Sequence, residues 1–417
     1  MKIQNQTTLT LVGLVFLIIS AFSGPVVAQS LSISGKITDA ETGEPLVFAT
    51  IALDGEPFGT ITNLAGEFDF HVPAKYRMAN IIVSTLGYQN FSITVIRAAL
   101  VDKLLVKLVP GRVILDEVIV TESLTAAELL KIAIFRIEDN YAMSPVEMEG
   151  FYRDTKMVDG EYVSLLEAAV RIYDKNYSAP RDYTKLRERV SLIEVRRTLE
   201  YDYSLEKYFS QYNMLEDLLL ENIVKYRTFN HQDEFYAALK RKKVVGYNNE
   251  PIDLVYVEMP GYSLKMYIDD NYVIRKIVFG WGDGKTPIYS YQKSRKLENQ
   301  VIRHDKQIEF QELNGKYYLK YIAASYRHKW YNQKTNEEVL TIVRNQALLV
   351  TKLNCTNPIW IKNSQKMKRY GLQFQHEAYN KEFWVNFNTI KEMPITKKLQ
   401  LDLEKFLSLE EQFASFE

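Results

Sequence analysis

The sequence predicts an all-β sandwich N-terminal domain followed by an α+β domain with a large antiparallel sheet. Three observations carry this. Between Leu31 and Val109, short apolar runs are cut every few residues by glycine, proline or asparagine, leaving little room for helix. From Thr125 onward, apolar residues recur at steps of three and four. Beyond Leu254, segments rich in tyrosine and β-branched residues follow one another across turn clusters.

At the front, Lys2 precedes an apolar run over residues 9–22, and Pro25-Val26-Val27-Ala28 ends it with a turn and small residues. A basic start and an apolar core too short to span a bilayer comfortably read as a signal peptide over residues 1–28. The chain is therefore expected beyond the inner membrane. Its 417 residues carry 52 basic and 52 acidic side chains, a balance that offers nucleic acid no global attraction, so none is expected as a partner. Cys355 is the only cysteine, which excludes an intramolecular disulfide and leaves a small, core-filling thiol.

Residues 29–110 make the expected sandwich. Its first strand, near residues 32–37, runs into the turn sequence Asp39-Ala40-Glu41-Thr42-Gly43. Residues 46–53 are the next apolar stretch, and Phe68 and Phe70, two apart, point to one face. Residues 81–84, 91–95 and 104–109 supply further strands. The core is expected to take Ile37, Val47, Ala49, Ile51, Phe68, Phe70, Val83 and Ile93. The succession Ser34-Gly35-Lys36-Ile37-Thr38-Asp39, Gly43-Glu44-Pro45-Leu46, Ala49-Thr50-Ile51, Gly59-Thr60-Ile61-Thr62-Asn63, Gly66-Glu67-Phe68 and Ser84-Thr85-Leu86-Gly87-Tyr88 resembles the carboxypeptidase-regulatory-like domain. That resemblance implies a transthyretin-like sandwich of the kind found in secreted, periplasmic and outer-membrane proteins of Bacteroidota, and no catalytic activity or zinc ligands. Leu115-Asp116-Glu117-Val118-Ile119-Val120 is similar to the segment joining this module to the plug of TonB-dependent receptors. Residues 111–124 are accordingly expected to be a linker or a pairing strand.

Residues 125–417 are assigned to the α+β domain, with a subdivision placed near 235–250. Thr125 and Glu128 have the spacing of a capping box, and Leu130, Ala133, Ile134, Ile137 and Tyr141 form one stripe, so a helix is expected over 126–140. Asp159-Gly160 should turn a hairpin between residues 150–157 and 162–173. Residues 182–197 read as a strand pair, and 204–222 as a helix with Leu205, Tyr208, Phe209, Tyr212, Leu215, Leu218 and Leu219 on one side. Strands follow at 254–259, 263–268, 273–279, 307–311, 317–331 and 339–352, a meander loosely similar to the half-open sheets of periplasmic lipoprotein carriers and lipid chaperones. Leu403, Phe406, Leu407 and Phe413 are placed on one face of a C-terminal helix clamped to that sheet.

The five histidines, His71, His231, His304, His328 and His376, make no H-E-x-x-H or H-x-H pattern. There is no G-x-S-x-G elbow, and Gly280 through Gly284 lacks the Lys-Ser/Thr partner of a phosphate cradle. His304-Asp305 and Asp269-Asp270 are given turn and surface roles, and Arg241-Lys242-Lys243 a solvated edge. Glycoside hydrolysis needs two carboxylates that meet in space about 5–9.5 Å apart, for which Glu167 and Glu258 are the candidates. No catalytic, cofactor-binding or metal residue is assigned, and no cofactor is expected. Twenty-eight tyrosines leave room for a concave, tyrosine-lined face suited to a glycan, lipid or protein. The expectation is a non-enzymatic accessory protein of an envelope assembly, in the periplasm and peripherally attached to the outer membrane, or at the cell surface. Its partner would be an outer-membrane or periplasmic protein complex. The alternatives are a glycan- or lipid-binding protein, or a glycan-processing hydrolase with dispersed carboxylates.

Overall fold

The computed structural model describes residues 30–112, 124–198, 205, 208–209, 214–294, 296–367, 372, 375, 378–390 and 397–415. The expected signal peptide, the segment from Leu115 to Val120, His376 and part of the expected helix over 204–222 lie outside these residues.

Seven strands build the sandwich: β1 (Ser30–Asp39), β2 (Thr50–Leu53), β3 (Gly59–Ile61), β4 (Glu67–Pro73), β5 (Asn80–Ser84), β6 (Phe91–Thr94) and β7 (Leu104–Leu108). They form two sheets, ordered β4-β1-β7 and β3-β2-β5-β6. Alternation along β1 and β4 turns Ile33, Ile37, Phe68, Phe70 and Val72 inward against Ile51, Ile81 and Val83. Two expectations need correction. Val47 is exposed, because Phe48 takes a positive φ of 56° and turns the chain before β2, so residues 46–49 are not strand. Residues 91–95 do not end as strand either: a short helix α1 (Val95–Ala99) starts at Val95 and buries Val95 and Ala98. Gly66, at φ +74°, tucks its α-carbon so close to Ile37 that a Cβ would stand 2.4 Å from the Ile37 carbonyl oxygen.

The second domain is one 11-stranded sheet. Its strands are β8 (Val146–Val158), β9 (Glu161–Asp174), β10 (Arg189–Arg197), β11 (Lys240–Val245), β12 (Pro251–Met259), β13 (Tyr262–Ile268), β14 (Ile274–Trp281), β15 (Tyr289–Ser294), β16 (Leu297–Leu313), β17 (Lys316–Asn332) and β18 (Glu337–Asn354). The order is β10-β9-β8-β18-β17-β16-β14-β13-β12-β11, with β15 beside β16. Tight turns set it: Asp159-Gly160 at φ 49° and 88° joins β8 to β9, and Asn314-Gly315 at φ 55° and 73° joins β16 to β17. Residues 182–197 yield one strand, β10, rather than a pair. Strands on both sides of residues 235–250 belong to this same sheet.

Both faces of the sheet are covered. Helices α2 (Ala126–Phe135), α3 (Ile137–Asn140), α4 (Met214–Leu220), α5 (Ile223–Tyr226) and α6 (Asp233–Ala238) bury Leu130, Ala133, Leu215, Leu218 and Val224 on one side. The Thr125–Glu128 capping box opens α2. Tyr141, fully buried, stacks on Tyr177 and donates its hydroxyl to the Ile274 carbonyl at 2.7 Å. Lys225, also fully buried, is bonded to Asp174 and lies 3.5 Å from Glu188, tying α5 to the sheet edge. The opposite face carries the sandwich and helices α7 (Lys381–Asn386), α8 (Lys397–Leu403) and α9 (Leu409–Ala414). The single C-terminal helical face is corrected here. A Ser408–Glu411 capping box starts α9 afresh, so Phe413 is buried while Phe406 is 95% exposed.

Because Gly66 combines a left-handed φ with a close carbonyl, Gly66→Ala should lower the stability of the sandwich by about 1–3 kcal/mol. Denaturant titration reads this as a lower midpoint, and an unchanged midpoint would show that the turn relaxes freely.

Candidate functional site

The register of neighbouring strands β16, β17, β18, β8 and β9 lines up three rows of side chains on the sandwich-facing side. One row reads Asp305, Ser325, Asn345, Thr155, Leu165; the next Gln307, Ala323, Ala347, Arg153, Glu167; the third Glu309, Tyr321, Leu349, Phe151, Ala169. The third row is covered. Phe48 of the sandwich packs on Tyr321 with ring centroids 5.3 Å apart, and Trp384 of α7 meets Phe151 edge-on at 6.4 Å. Ile61 and Ile390 complete that contact.

The middle row is different. Ala323 and Ala347 are direct cross-strand partners and end at Cβ, so the sheet is hollow where its neighbours are filled. A cavity of about 520 Å³ lies over them. Leu165, Val278 and Tyr321 form its walls, Phe48, Asn63 and Leu64 of the sandwich contribute its roof, and Ile390 and Leu399 of the C-terminal segment close it further. Its polar groups come chiefly from the first row and Gln307. Ser325 donates its hydroxyl to Asn345 Oδ1 at 2.7 Å, next to Thr155. An apolar cavity of this volume with a few grouped polar side chains is the usual form of a small-molecule site.

One end of the cavity is electrostatically fixed. Glu167 is fully buried and accepts from Arg153 Nε and Arg196 Nε, each at 2.6 Å. Arg153 also donates to the Ile390 carbonyl at 3.2 Å. Burial pushes the Glu167 pKa up, but the two guanidinium groups outweigh it and hold the carboxyl below its ordinary value. Glu167 is therefore an anchored carboxylate that orients Arg153, with both oxygens committed to cations. At the other side, Lys320 bonds Thr50 of the sandwich and lies 3.3 Å from Glu309, which Lys276 approaches to 2.6 Å. Burial raises the Glu309 pKa, yet the two ammonium groups bring it down to about 2. The two domains are also joined by backbone. Leu353 donates to the Pro57 carbonyl at 3.1 Å, and the Asn388 side chain brackets His71 N and O at 2.7 and 3.0 Å.

The other singled-out residues lie elsewhere. Glu258 on β12 is half-exposed and pairs with Lys265 at 2.8 Å. Seven strand steps separate β9 from β12, roughly 33 Å along the sheet at about 4.8 Å each. Glu167 and Glu258 thus do not meet as a hydrolase pair. His304 and Asp305 point to opposite faces of β16. His304 stacks on Tyr326 at 4.1 Å, with burial lowering its pKa to about 4, and Asp305 is bonded to Arg303. Asp269 accepts from the Asn271 and Val273 amides in a turn, Asp270 pairs with Lys243 at 2.9 Å, and Arg241 pairs with Asp253 at 2.7 Å. Cys355 is partly buried against the main core. Among the described residues no group of three or more His, Cys, Asp or Glu side chains is arranged to hold a metal. The residues that make the cavity, Ala323 and Ala347, passed unremarked in the sequence because their smallness matters only once their pairing is known.

Residues 33–120 match the family model of the CarboxypepD_reg-like domain, in keeping with the sandwich. No curated protein matches the chain. Among solved structures, the chain is similar at 9% identity and TM-score 0.25 to lipovitellin, in a structure titled for lipid–protein interactions. That likeness covers 55% of this chain and 27% of the other, so this chain spans about a quarter of lipovitellin. A LolA superfamily protein from Nitrosomonas europaea is similar at 11% identity and TM-score 0.21, over 59% of this chain and 99% of that one. A 9R-lipoxygenase from Cyanothece follows at 8% identity and TM-score 0.17, over 75% and 43%.

The Glu309 environment fixes the sign of a pH response. Its folded pKa lies below the unfolded value, so its contribution is fully present above about 4.5 and is lost as pH falls toward about 2. Over that window the stability advantage of the wild type over Glu309→Gln should shrink toward zero. Urea titrations at stepped pH measure it, and a constant difference would place the ion pairs outside the folding linkage.

Proposed function

We propose that this protein binds, without chemical turnover, a small molecule with an apolar body and an uncharged polar end in the cavity between the sandwich and the sheet. The paired alanines Ala323 and Ala347 carry this reading, because they leave room for a ligand in a face that is otherwise packed. Apolar walls supply affinity through burial. The Thr155, Asn345, Ser325 and Gln307 groups supply hydrogen bonds at one side, where amides and hydroxyls suit hydroxyl- or amide-bearing ends. Arg153 is already committed to Glu167 and to the Ile390 carbonyl, which disfavours reading the site as one for a bare anion. The proposal includes its setting. With the signal peptide removed, the protein works in the periplasm, associated with the outer membrane through an envelope protein complex, and serves that assembly as a binding accessory.

Filling the hollow tests the reading. Ala347→Leu and Ala323→Leu should each weaken uptake of a fluorescent apolar probe such as N-phenyl-1-naphthylamine by about tenfold or more, with circular dichroism unchanged. Probe binding equal to wild type in both folded variants would remove the cavity from consideration.

A further inference from the structure

The tip of the sandwich where β4 returns to β5 carries a second surface. A turn after β4 presents Lys75, Arg77 and Met78, and it is joined to the start of α1 by hydrogen bonds from Val95 N to Ala79 O at 2.9 Å and from Ile96 N to Arg77 O at 3.0 Å. In α1, Val95 and Ala98 face the core, which leaves Ile96 and Arg97 on the outer arc, and Leu100 and Val101 follow in the exposed turn after it. The apolar members of this tip are unusually bare: Met78 is 71% exposed, Leu100 79%, Val101 48% and Ile96 41%. Residues 74–79 and 95–103 contain Lys75, Arg77, Arg97 and Lys103 against Asp102 as the single acid. Lys103 is engaged by Glu67 at 2.8 Å, whereas no carboxylate among the described residues lies within ion-pair distance of Arg77 or Arg97.

We infer that this tip docks on an anionic lipid surface, with Met78, Ile96, Leu100 and Val101 entering the headgroup boundary and Lys75, Arg77 and Arg97 meeting lipid phosphates. Apolar side chains flanked by cations on a protruding turn fit a bilayer interface. The charge is complementary to acidic headgroups. A folded partner fits less well, since the core of a stable protein interface is depleted of charged side chains, whereas here three cations stand among the apolar ones. Binding of this strength is reversible, because few charges and short side chains are involved.

This inference does not rest on the cavity. Flotation of the full chain with phosphatidylcholine vesicles containing phosphatidylglycerol should show salt-sensitive binding, with much weaker capture by pure phosphatidylcholine. Arg77→Gln and Arg97→Gln should each reduce affinity about fivefold, and Leu100→Ser with Val101→Ser should reduce it on both vesicle types. The Ala347→Leu variant should float like wild type, which separates this surface from the ligand site. No flotation, equal capture by both vesicle types, or indifference to these tip substitutions would overturn the proposal. Retained membrane binding with lost probe uptake in Ala347→Leu would support it.

Discussion

The pairing register of the long strands β16, β17, β18 and β8 is the constraint on which the site depends. Side chains alternate between faces with a period of two, so a slip of one residue would send Ala323, Ala347 and Arg153 to the helical side and bring a different row to the sandwich. The register is held at its ends by turns that accept positive φ, at Asp159-Gly160 and Asn314-Gly315, and on its helical side by a continuous buried core that includes Tyr152, Ile322 and Leu348. Once these are in place, the rows follow: an aromatic row that packs, an alanine row that does not, and a polar row beside it. The cavity is a consequence of pairing, not of any single residue.

The sandwich completes what the sheet begins. Phe48 and Ile61 join Tyr321, Phe151 and Leu349 in one apolar contact, while Lys320 reaches across to Thr50 and remains compensated by Glu309. Buried charges in such a junction are costly unless paired, and each here has a partner: Glu167 has two arginines and Glu309 two lysines. Of these charges only Lys320 reaches the sandwich, through Thr50, on the strand that also places Tyr321 against Phe48.

Local signals made much of the fold readable. Turn glycines in order with alternating strands announced the sandwich, the Thr125–Glu128 box announced α2, and the Asp159-Gly160 turn announced the β8–β9 hairpin of the sheet. Failures came first where a turn, a helix start or a cap broke an apolar run that reads as continuous. Val47 reads as core until Phe48 is seen to turn the chain, and Val95 reads as strand until α1 begins there. Phe406 reads as part of a helical face until Ser408 caps a new helix. Phe151 and Tyr152 are both buried because both sheet faces are covered, which hides the two-residue alternation that would otherwise mark β8. The site was the least legible part. Glu167 stood out as a carboxylate, but its role follows from Arg153 and Arg196, and the latter arrives from β10, 29 residues away. The two alanines carry no signal of their own.

The most direct test of the account is native mass spectrometry of the protein isolated from its own cells, followed by organic extraction. The account predicts one small molecule with an apolar body and an uncharged polar end per chain, present on the wild type and missing from a folded variant whose alanine floor has been filled. Wild-type protein that carries no such molecule, and takes none up from a total lipid extract, would contradict it.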